Sequence, residues 1–310
     1  MRKVQLLCAE TPRNAEMSPY GAKDSPNGGD RGIQGRRIIR QANEFRRRSG
    51  SRLVTSVENF ETRGRVRIEI VLVLALSLGA SAVYSVVAIV NRLTQNVALS
   101  QQTATLNNSL SDRQWFDLTY QLLAIVFDLA PVALVMFLLW QHTHPRLARL
   151  GLDATRPAKD ALWGIVLFAA IGIPGLGVYL GGRALGISVN VVPNALDTYW
   201  WTIPVLVLSA LRAGLQEEII MIGYLYARLR DLGWGPWRII IISAAIRGSY
   251  HLYQGFGAFV GNFLMGMLFG LLYNRFGRVL PLVVAHSALD AAIFIGYPWA
   301  AATFPALFGS

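Results

Sequence analysis

Seven long apolar segments are the feature that most limits what this chain can fold into. They occupy residues 68–90, 115–140, 161–182, 202–227, 237–253, 256–273 and 279–297. Each has about 20 residues, the length that an α-helix needs to cross the hydrocarbon core of a bilayer. With 53% hydrophobic and only 15% charged residues, the composition excludes a typical soluble domain. The sequence therefore predicts an all-α, polytopic transmembrane bundle of about seven spanning helices.

We divide the chain into four parts by composition. Residues 1–66 are rich in Gly, Arg, Ser, Asn and Pro and are expected to form a disordered basic tail. Residues 67–159 hold two transmembrane helices with their loops, residues 160–300 form the core, and residues 301–310 are a C-terminal tail. The single cysteine, Cys8, excludes an intramolecular disulfide.

Charge predicts the orientation of the bundle and its surface partner. Residues 1–67 carry 15 Lys and Arg against 7 Asp and Glu, which favours an anionic lipid bilayer over nucleic acid as partner. If the N-terminus is cytoplasmic, the inward loops are the more basic ones, as multi-pass proteins of the plasma membrane require. The inward loops carry Arg146, Arg149, Arg156, Lys159, Arg228, Arg230, Arg238, Arg275 and Arg278, and the outward loops carry only Arg92, Arg113 and Arg183.

Ionisable residues inside the apolar segments are candidates for a functional site, because they are costly at membrane depth. They are Asp117, Asp128, Arg212, Glu217, Glu218, Arg247, His251, His286 and Asp290. Most fall on the fourth, fifth and seventh segments, which indicates one shared polar cavity. Asp117, near a helix end, and Asp128, before Pro131, are interpreted as structural.

Helical spacing arranges the remaining candidates in pairs. His286 and Asp290 are four residues apart and share a helix face, so the carboxylate is expected to orient the imidazole. Arg247 and His251 are also four residues apart and share a helix face. Glu217 and Glu218 are adjacent and about 100° apart around a helix, so they are not expected to point at the same partner.

This set of side chains limits the chemistry. No serine lies in a nucleophile-elbow pattern, so a covalent nucleophile is not expected. A carboxylate and a histidine that converge on one water form a general-base site, and a second histidine can donate to an oxyanion. The alternative for each residue taken singly is a buried ion pair or a satisfied core histidine.

The residues also resemble a known family, the CPBP intramembrane proteases, which are also called the Abi or CAAX protease-like family. The stretch EEIIMIG at 217–223 resembles the motif EExxxRG, His251 resembles the histidine of FxxxH, and HSALD at 286–290 resembles HxxxN or HxxxD. The resemblance covers about residues 160–300. It implies a membrane-embedded endopeptidase that acts on a peptide or a membrane-anchored substrate, and it is the ground for expecting a bacterial plasma membrane.

The resemblance also implies roles for the matched residues. Glu217 and His251 would activate water, while His286 and Asp290 would stabilise the oxyanion. Glu218 matches the glutamate that pairs with the motif arginine. The cofactor is open: either none, or a divalent metal such as Zn²⁺ held by Glu217, His251 and His286.

Two positions depart from the family pattern. Ile222 stands at the arginine of the first motif, and Arg247 stands at the phenylalanine of the second. An unpaired buried carboxylate is costly, so we expect Arg247 to pair across helices with Glu218. Arg212 is the other candidate partner.

The sequence leaves two other classes of function open. One is a non-catalytic scaffold or immunity-type protein that keeps the helical core, which the missing motif arginine favours. The other is a transporter of protons or a small solute, which the absence of an internal repeat disfavours. Substrate identity and oligomeric state stay open.

Overall fold

The computed structural model describes residues 62–139 and 150–305. The predicted tail before residue 62, the loop arginines Arg146 and Arg149, and residues 306–310 lie outside the described residues. The first described helix begins at Thr62, inside the segment assigned to the tail. The helices are α1 Thr62–Ala75, α2 Leu78–Leu93, α3 Gln114–Asp128, α4 Ala130–Leu139, α5 Pro157–Ala184, α6 Thr202–Glu217, α7 Leu225–Asp231, α8 Pro236–Tyr250, α9 Phe256–Phe276 and α10 Leu280–Thr303. The strands are β1 Thr103–Asn108 and β2 Asn190–Ala195.

The described chain is mostly helical and has four helical segments that are long and apolar enough to cross a membrane. These are Gln114–Leu139 (α3 with α4), α5, α9 and α10. The pair α1 and α2, bent by 57°, makes a fifth if it is one span. The helical membrane class is thus supported, whereas the count of seven is not confirmed.

The difference from seven arises at the helices that carry the polar residues. Helix α8 has 15 residues, which gives a length of about 22 Å, shorter than a hydrocarbon core of about 30 Å. Helices α6 and α7 continue one another through a π-helical segment, Glu218–Tyr224, and hold Arg212, Glu217 and Glu218. The π-helical break leaves α6 with 16 residues, and these ionisable side chains lower the apolar character of the segment.

Ion pairs of Arg278 connect the start of α5 to the residues just before α10. Arg278 Nε donates to both carboxylate oxygens of Asp160, at 2.9 and 3.0 Å, and the Arg278 guanidinium also bonds Asp153. Asp160 is 2% exposed. The Thr155 hydroxyl, with a further contribution from Arg278, lowers the pKa of Asp153 to about 2. Two of the loops predicted to face inward are thus joined to each other.

The other basic residues of this end make similar contacts between elements. Arg228 Nε donates to Glu69 of α1 at 2.7 Å, and Arg230 Nη2 donates to Asn274 of α9 at 2.6 Å. The ends of α7 and α9 and the start of α10 consequently lie at one end of the helical unit. The basic loops that the sequence assigned to one side do meet at one end.

A two-stranded parallel sheet joins the loop between α2 and α3 to the loop between α5 and α6. Thr103 lies opposite Asn190 and Asn108 opposite Ala195, and Asn190 N–H donates to the Gln102 carbonyl at 2.8 Å. The sequence did not predict these strands. They read TATLNN and NVVPNA, and Asn and Pro are depleted in strands.

The buried core surrounds the π-helical segment, all seven residues of which are buried. Helix α9 packs closely against α8 at Gly266, where an added Cβ would meet Ala244 Cα at 3.0 Å and Arg247 Cδ at 3.2 Å. Small residues at a helix interface allow such close packing. At Gly266 the close approach also makes room for the Arg247 side chain.

Replacing Arg278 by Ala should destabilise the protein, because it leaves the buried Asp160 carboxylate without its cation. We expect the free energy of unfolding to fall by about 3 kcal/mol, measured by unfolding of the purified protein in detergent micelles. Arg275→Ala is the matched control: Arg275 is exposed, and its removal should change stability by less than about 0.5 kcal/mol. Equal effects of the two variants would contradict this assignment.

Candidate functional site

Three segments bring the sequence-predicted residues together in one buried cluster. The junction of α6 with the π-helical segment supplies Glu217 and Glu218, α8 and its C-terminal end supply Arg247 and His251, and α10 supplies His286 and Asp290. A chain of contacts shorter than 4 Å joins all six side chains. The two histidines therefore belong to one cluster.

The centre of the cluster is an ion pair between Arg247 and Glu218. Arg247 Nη1 donates to Glu218 Oε2 at 3.3 Å, and Nη2 donates to Oε1. Arg247 is 1% exposed and Glu218 is fully buried. A guanidinium is a planar fork that can bond both oxygens of one carboxylate. Each charge thus has the partner that burial requires.

Arg247 also contacts two further members of the cluster. Its Nη2 lies 3.1 Å from Glu217 Oε2 and 3.2 Å from His286 Nδ1. The expectation that the two adjacent glutamates point at different partners is therefore wrong. One guanidinium nitrogen is able to meet both, because the helix changes from α to π between the two residues.

The π-helical segment follows Glu217 directly and gives the glutamates their relative position. Its hydrogen bonds run to the fifth rather than the fourth residue, and such segments occur often at functional sites. Ser243 of α8 donates to the Met221 carbonyl at 3.0 Å, so a neighbouring helix satisfies one of its backbone groups. No residue pattern in this stretch predicts the change in helical geometry.

Tyr250 is a member of the site that sequence reasoning missed. Its hydroxyl donates to Glu217 Oε2 at 2.6 Å, and both side chains are buried. Tyr250 lies three residues after Arg247 on α8 and so shares its helix face. That spacing is the signal that could have found it. The candidates, however, were the charged residues and histidines, and a tyrosine is not ionised at neutral pH.

The two oxygens of Glu217 are in different situations. Oε2 accepts from Tyr250 and Arg247 and lies 3.9 Å from His251 Nε2. Oε1 has no hydrogen-bond partner among the described residues. Both ring nitrogens of His251 are buried and likewise lack a partner in that part of the chain. A water at about 2.8 Å from each atom is able to bridge a carboxylate and a ring nitrogen that are 3.9 Å apart.

His286 lies between two acids. Its Nδ1 is 2.7 Å from Glu218 Oε1, whereas its Nε2 is 3.6 Å from Asp290 Oδ2. The sequence predicts that Asp290 orients this imidazole, whereas in the structure the shorter contact is with Glu218. The reason is that Arg247 draws Glu218 to the same place. Nε2 is then the ring atom that remains available on the side of Asp290.

Arg212, the other candidate partner for the glutamates, is bonded elsewhere. Its Nη1 donates to Asp128 at 3.0 Å and to Gln216 at 3.3 Å. The side chains of Arg212 and Asp128 are 25% and 51% exposed. Asp117 is buried and accepts from Leu110 N–H at 2.8 Å. These three residues therefore lie outside the cluster.

The predicted metal ligands do not fit a metal ion in this arrangement. No group of three or more His, Cys, Asp or Glu that could hold one occurs in residues 62–139 and 150–305. A metal held by Glu217, His251 and His286 would need the place of the Arg247 guanidinium, because Nη2 contacts two of these three residues. The Arg247 guanidinium is a fixed cation and already occupies the position that a metal ion would need.

The fold and the site define a helical membrane protein with a buried carboxylate, guanidinium and imidazole cluster. Residues 199–292 match the family model described as Type II CAAX prenyl endopeptidase Rce1-like. The family resemblance seen in the motifs is thereby confirmed for this segment, which is similar to the CAAX protease-like family. The match contains all six predicted site residues and Tyr250. No curated protein and no solved structure gives a significant match to the chain.

Removing the Arg247 cation should destabilise the protein far more than removing that of Arg212. Arg247→Phe restores the residue of the family motif but leaves Glu218 buried without a partner, so the free energy of unfolding should fall by about 3 kcal/mol or more. Arg212→Leu breaks a half-exposed pair and should cost less than about 1 kcal/mol. Both are measured by unfolding in the same detergent.

A second substitution separates charge pairing from packing at Arg247. Ile222→Arg restores the arginine of the first motif on the same helix as Glu218. Combined with Arg247→Phe, it should recover part of the lost stability, and the double-mutant cycle gives the coupling. Independent, additive losses in the two variants would contradict the assignment of Arg247 as the relocated motif arginine.

Proposed function

We propose that the protein is an intramembrane endopeptidase that hydrolyses a peptide bond of a peptide or membrane-anchored substrate with a water activated by Glu217 and His251. The observation that carries the proposal is the state of Glu217. Arg247 and Tyr250 hold its Oε2, which also lies 3.9 Å from Nε2 of the His251 imidazole, and its Oε1 has no hydrogen-bond partner among residues 62–139 and 150–305. A carboxylate held in this way is suited to act as a general base.

The first chemical step forms a bond between water oxygen and the substrate carbonyl carbon. Oε1 of Glu217 takes one proton of the water, and His251 orients the water as it attacks. The carbonyl oxygen becomes an oxyanion, to which His286 donates from Nε2. Asp290 lies 3.6 Å from that nitrogen and counters the charge of the donating imidazole.

The second step breaks the carbon–nitrogen bond. The tetrahedral intermediate collapses, and the proton held by Glu217 passes to the departing amine nitrogen. The products are a carboxylic acid, which gives its remaining proton to the amine or to solvent, and an amine, and the base returns to its starting form. Glu218 and Arg247 take no part in proton transfer. They keep Glu217 and His286 in register, which is the role of a positioning pair.

The basic end of the helical unit supports a cytoplasmic N-terminus in the plasma membrane. Arg228, Arg230 and Arg278 all bond partners at that end, in agreement with the rule that inward loops are the positive ones. Assignment to a bacterial membrane rests on the family resemblance, and the span count of seven remains part of this proposal.

Peptide cleavage by the purified protein in liposomes tests the proposal. The substrates are a prenylated peptide with a C-terminal CAAX sequence, as the family description suggests, and a set of unmodified membrane-anchored peptides. Glu217→Gln keeps the shape of the side chain but removes the base, so kcat should fall by at least about 100-fold. His251→Ala should have an effect of similar size.

Ser249→Ala is the matched control on the same stretch of α8, because within the described part of the chain the Ser249 hydroxyl bonds only the Ile246 carbonyl of its own helix. It should leave kcat unchanged. Absence of cleavage of every substrate by the wild type, with wild-type stability of the variants, would favour a non-catalytic scaffold or immunity-type protein. Movement of protons or solute across the liposome that depends on Glu217 would favour the transporter instead.

A further inference from the structure

The π-helical segment is held at its last residue by a side chain from outside the matched family segment. Tyr224, the last residue of Glu218–Tyr224, donates its hydroxyl to Glu69 Oε1 at 3.0 Å. Glu69 belongs to α1, Thr62–Ala75, whereas the family model matches residues 199–292. A carboxylate of the first described helix therefore contacts the segment that begins directly after Glu217.

The same carboxylate oxygen also binds Arg228 of α7. Arg228 Nε donates to Glu69 Oε1 at 2.7 Å, and its Nη2 donates to the Leu138 carbonyl of α4 at 2.9 Å. The side chains of Glu69 and Arg228 are 18% and 12% exposed, and partly buried ion pairs are screened less than exposed ones. Hydrogen bonds to a charged group are also the stronger ones. This junction of α1, α4 and α7 is consequently a firm anchor for Tyr224.

Side chains of other helices contact the π-helical segment at its start, in its middle and at its end. The contacts are Arg247 with Glu218 at 3.3 Å, Ser243 with the Met221 carbonyl at 3.0 Å, and Glu69 with Tyr224 at 3.0 Å. A π-helix is rare and is mostly confined to a single turn within an α-helix. A run of seven π-helical residues therefore depends on contacts from outside the segment.

The first and the last of these contacts together require the π geometry. A π-helix has more residues per turn than an α-helix, because its hydrogen bonds run to the fifth residue instead of the fourth. Its two ends consequently have a different rotation relative to each other than the ends of an α-helix with the same number of residues. If the segment changed to α geometry while Tyr224 stayed in place, Glu217 and Glu218 would rotate away from Arg247.

We propose that Glu69 is a positioning residue for the reaction. By holding Tyr224, Glu69 keeps the segment in its π geometry, and this geometry keeps Glu217 in contact with Arg247 and beside His251. The inference rests on the proposed proteolytic function and adds a role for α1, which the family match does not include. Glu69 itself touches neither the substrate nor the reacting atoms.

Tyr224→Phe tests the proposal, because it removes the hydroxyl and leaves the ion pair of Glu69 with Arg228 in place. Peptide cleavage is measured in liposomes, and peptide binding is measured by fluorescence anisotropy on the Glu217→Gln background. We expect kcat to fall by about tenfold, the change that corresponds to the loss of one hydrogen bond to a charged group. KM and peptide binding should stay the same, because the substrate does not contact Tyr224. Glu69→Ala should lower kcat by at least as much.

Two further variants are matched controls. Asp231→Ala removes another partner of Arg228, which lies 3.3 Å away and is 44% exposed, and should leave kcat unchanged. Glu69→Gln keeps an oxygen that is able to accept from Tyr224. It should therefore retain most of kcat, although the loss of the ion pair with Arg228 lowers stability. A role in stability alone predicts the opposite, since kcat would then not separate Glu69→Gln from Glu69→Ala.

A double-mutant cycle in the free energy of unfolding gives a second readout that does not depend on catalysis. Tyr224→Phe and Ser243→Ala each release one point of the π-helical segment. The double variant should lose less stability than the sum of the single losses, because a segment that relaxes after the first release has already lost the second contact. Tyr224→Phe combined with Ser249→Ala, which does not touch the segment, should give additive losses.

Wild-type kcat in a folded Tyr224→Phe variant would overturn the proposal. Additive losses for Tyr224→Phe and Ser243→Ala would overturn it as well, and so would a rise in KM in place of a fall in kcat. In each of these cases the wild type still cleaves the peptide, so the proposed catalytic function would stand. Absence of cleavage by the wild type would instead remove the proposed function, and with it the catalytic role of Glu69.

Discussion

The structure depends on one buried guanidinium. Arg247 is 1% exposed and contacts Glu217, Glu218 and His286, so it links α8 to the α6 junction and to α10. Two carboxylates this close repel each other and are costly away from water. A cation between them converts that cost into a fixed arrangement. Helix α9 completes the enclosure of the guanidinium. It packs closely at Gly266, and the centre of its Phe269 ring lies 5.4 Å from the guanidinium carbon.

The same contacts divide the work between the two adjacent glutamates. Glu218 is fully buried, bonded through both oxygens, and therefore structural. Glu217 uses one oxygen for Tyr250 and Arg247, which leaves the other for the reaction that we propose. The change from α to π geometry between them lets both side chains reach the Arg247 guanidinium. An ordinary helix would direct them about 100° apart.

Particular residues show how much of this could be predicted. Pairing of Arg247 with Glu218 was expected because two departures from one motif pattern, Ile222 and Arg247, had a single electrostatic explanation. Tyr250 was missed because the prediction considered only charged side chains and histidines. The strands were missed because Asn-rich and Pro-containing loops carry no alternating pattern. The count of seven spans is not confirmed, because apolar content does not report where a helix ends, and α8 ends at Tyr250, one residue before His251.

We infer that a guanidinium, and not a metal ion, holds Glu217 and His286 in position for the proposed reaction. The most direct measurement is the rate of peptide cleavage in liposomes by protein treated with a chelator, compared with protein supplied with Zn²⁺, with bound metal determined in each sample. We expect equal rates in the metal-free and zinc-supplied samples, and loss of cleavage in both when Glu217 is replaced by Gln. Cleavage that disappears with the metal and returns in proportion to bound zinc would contradict it.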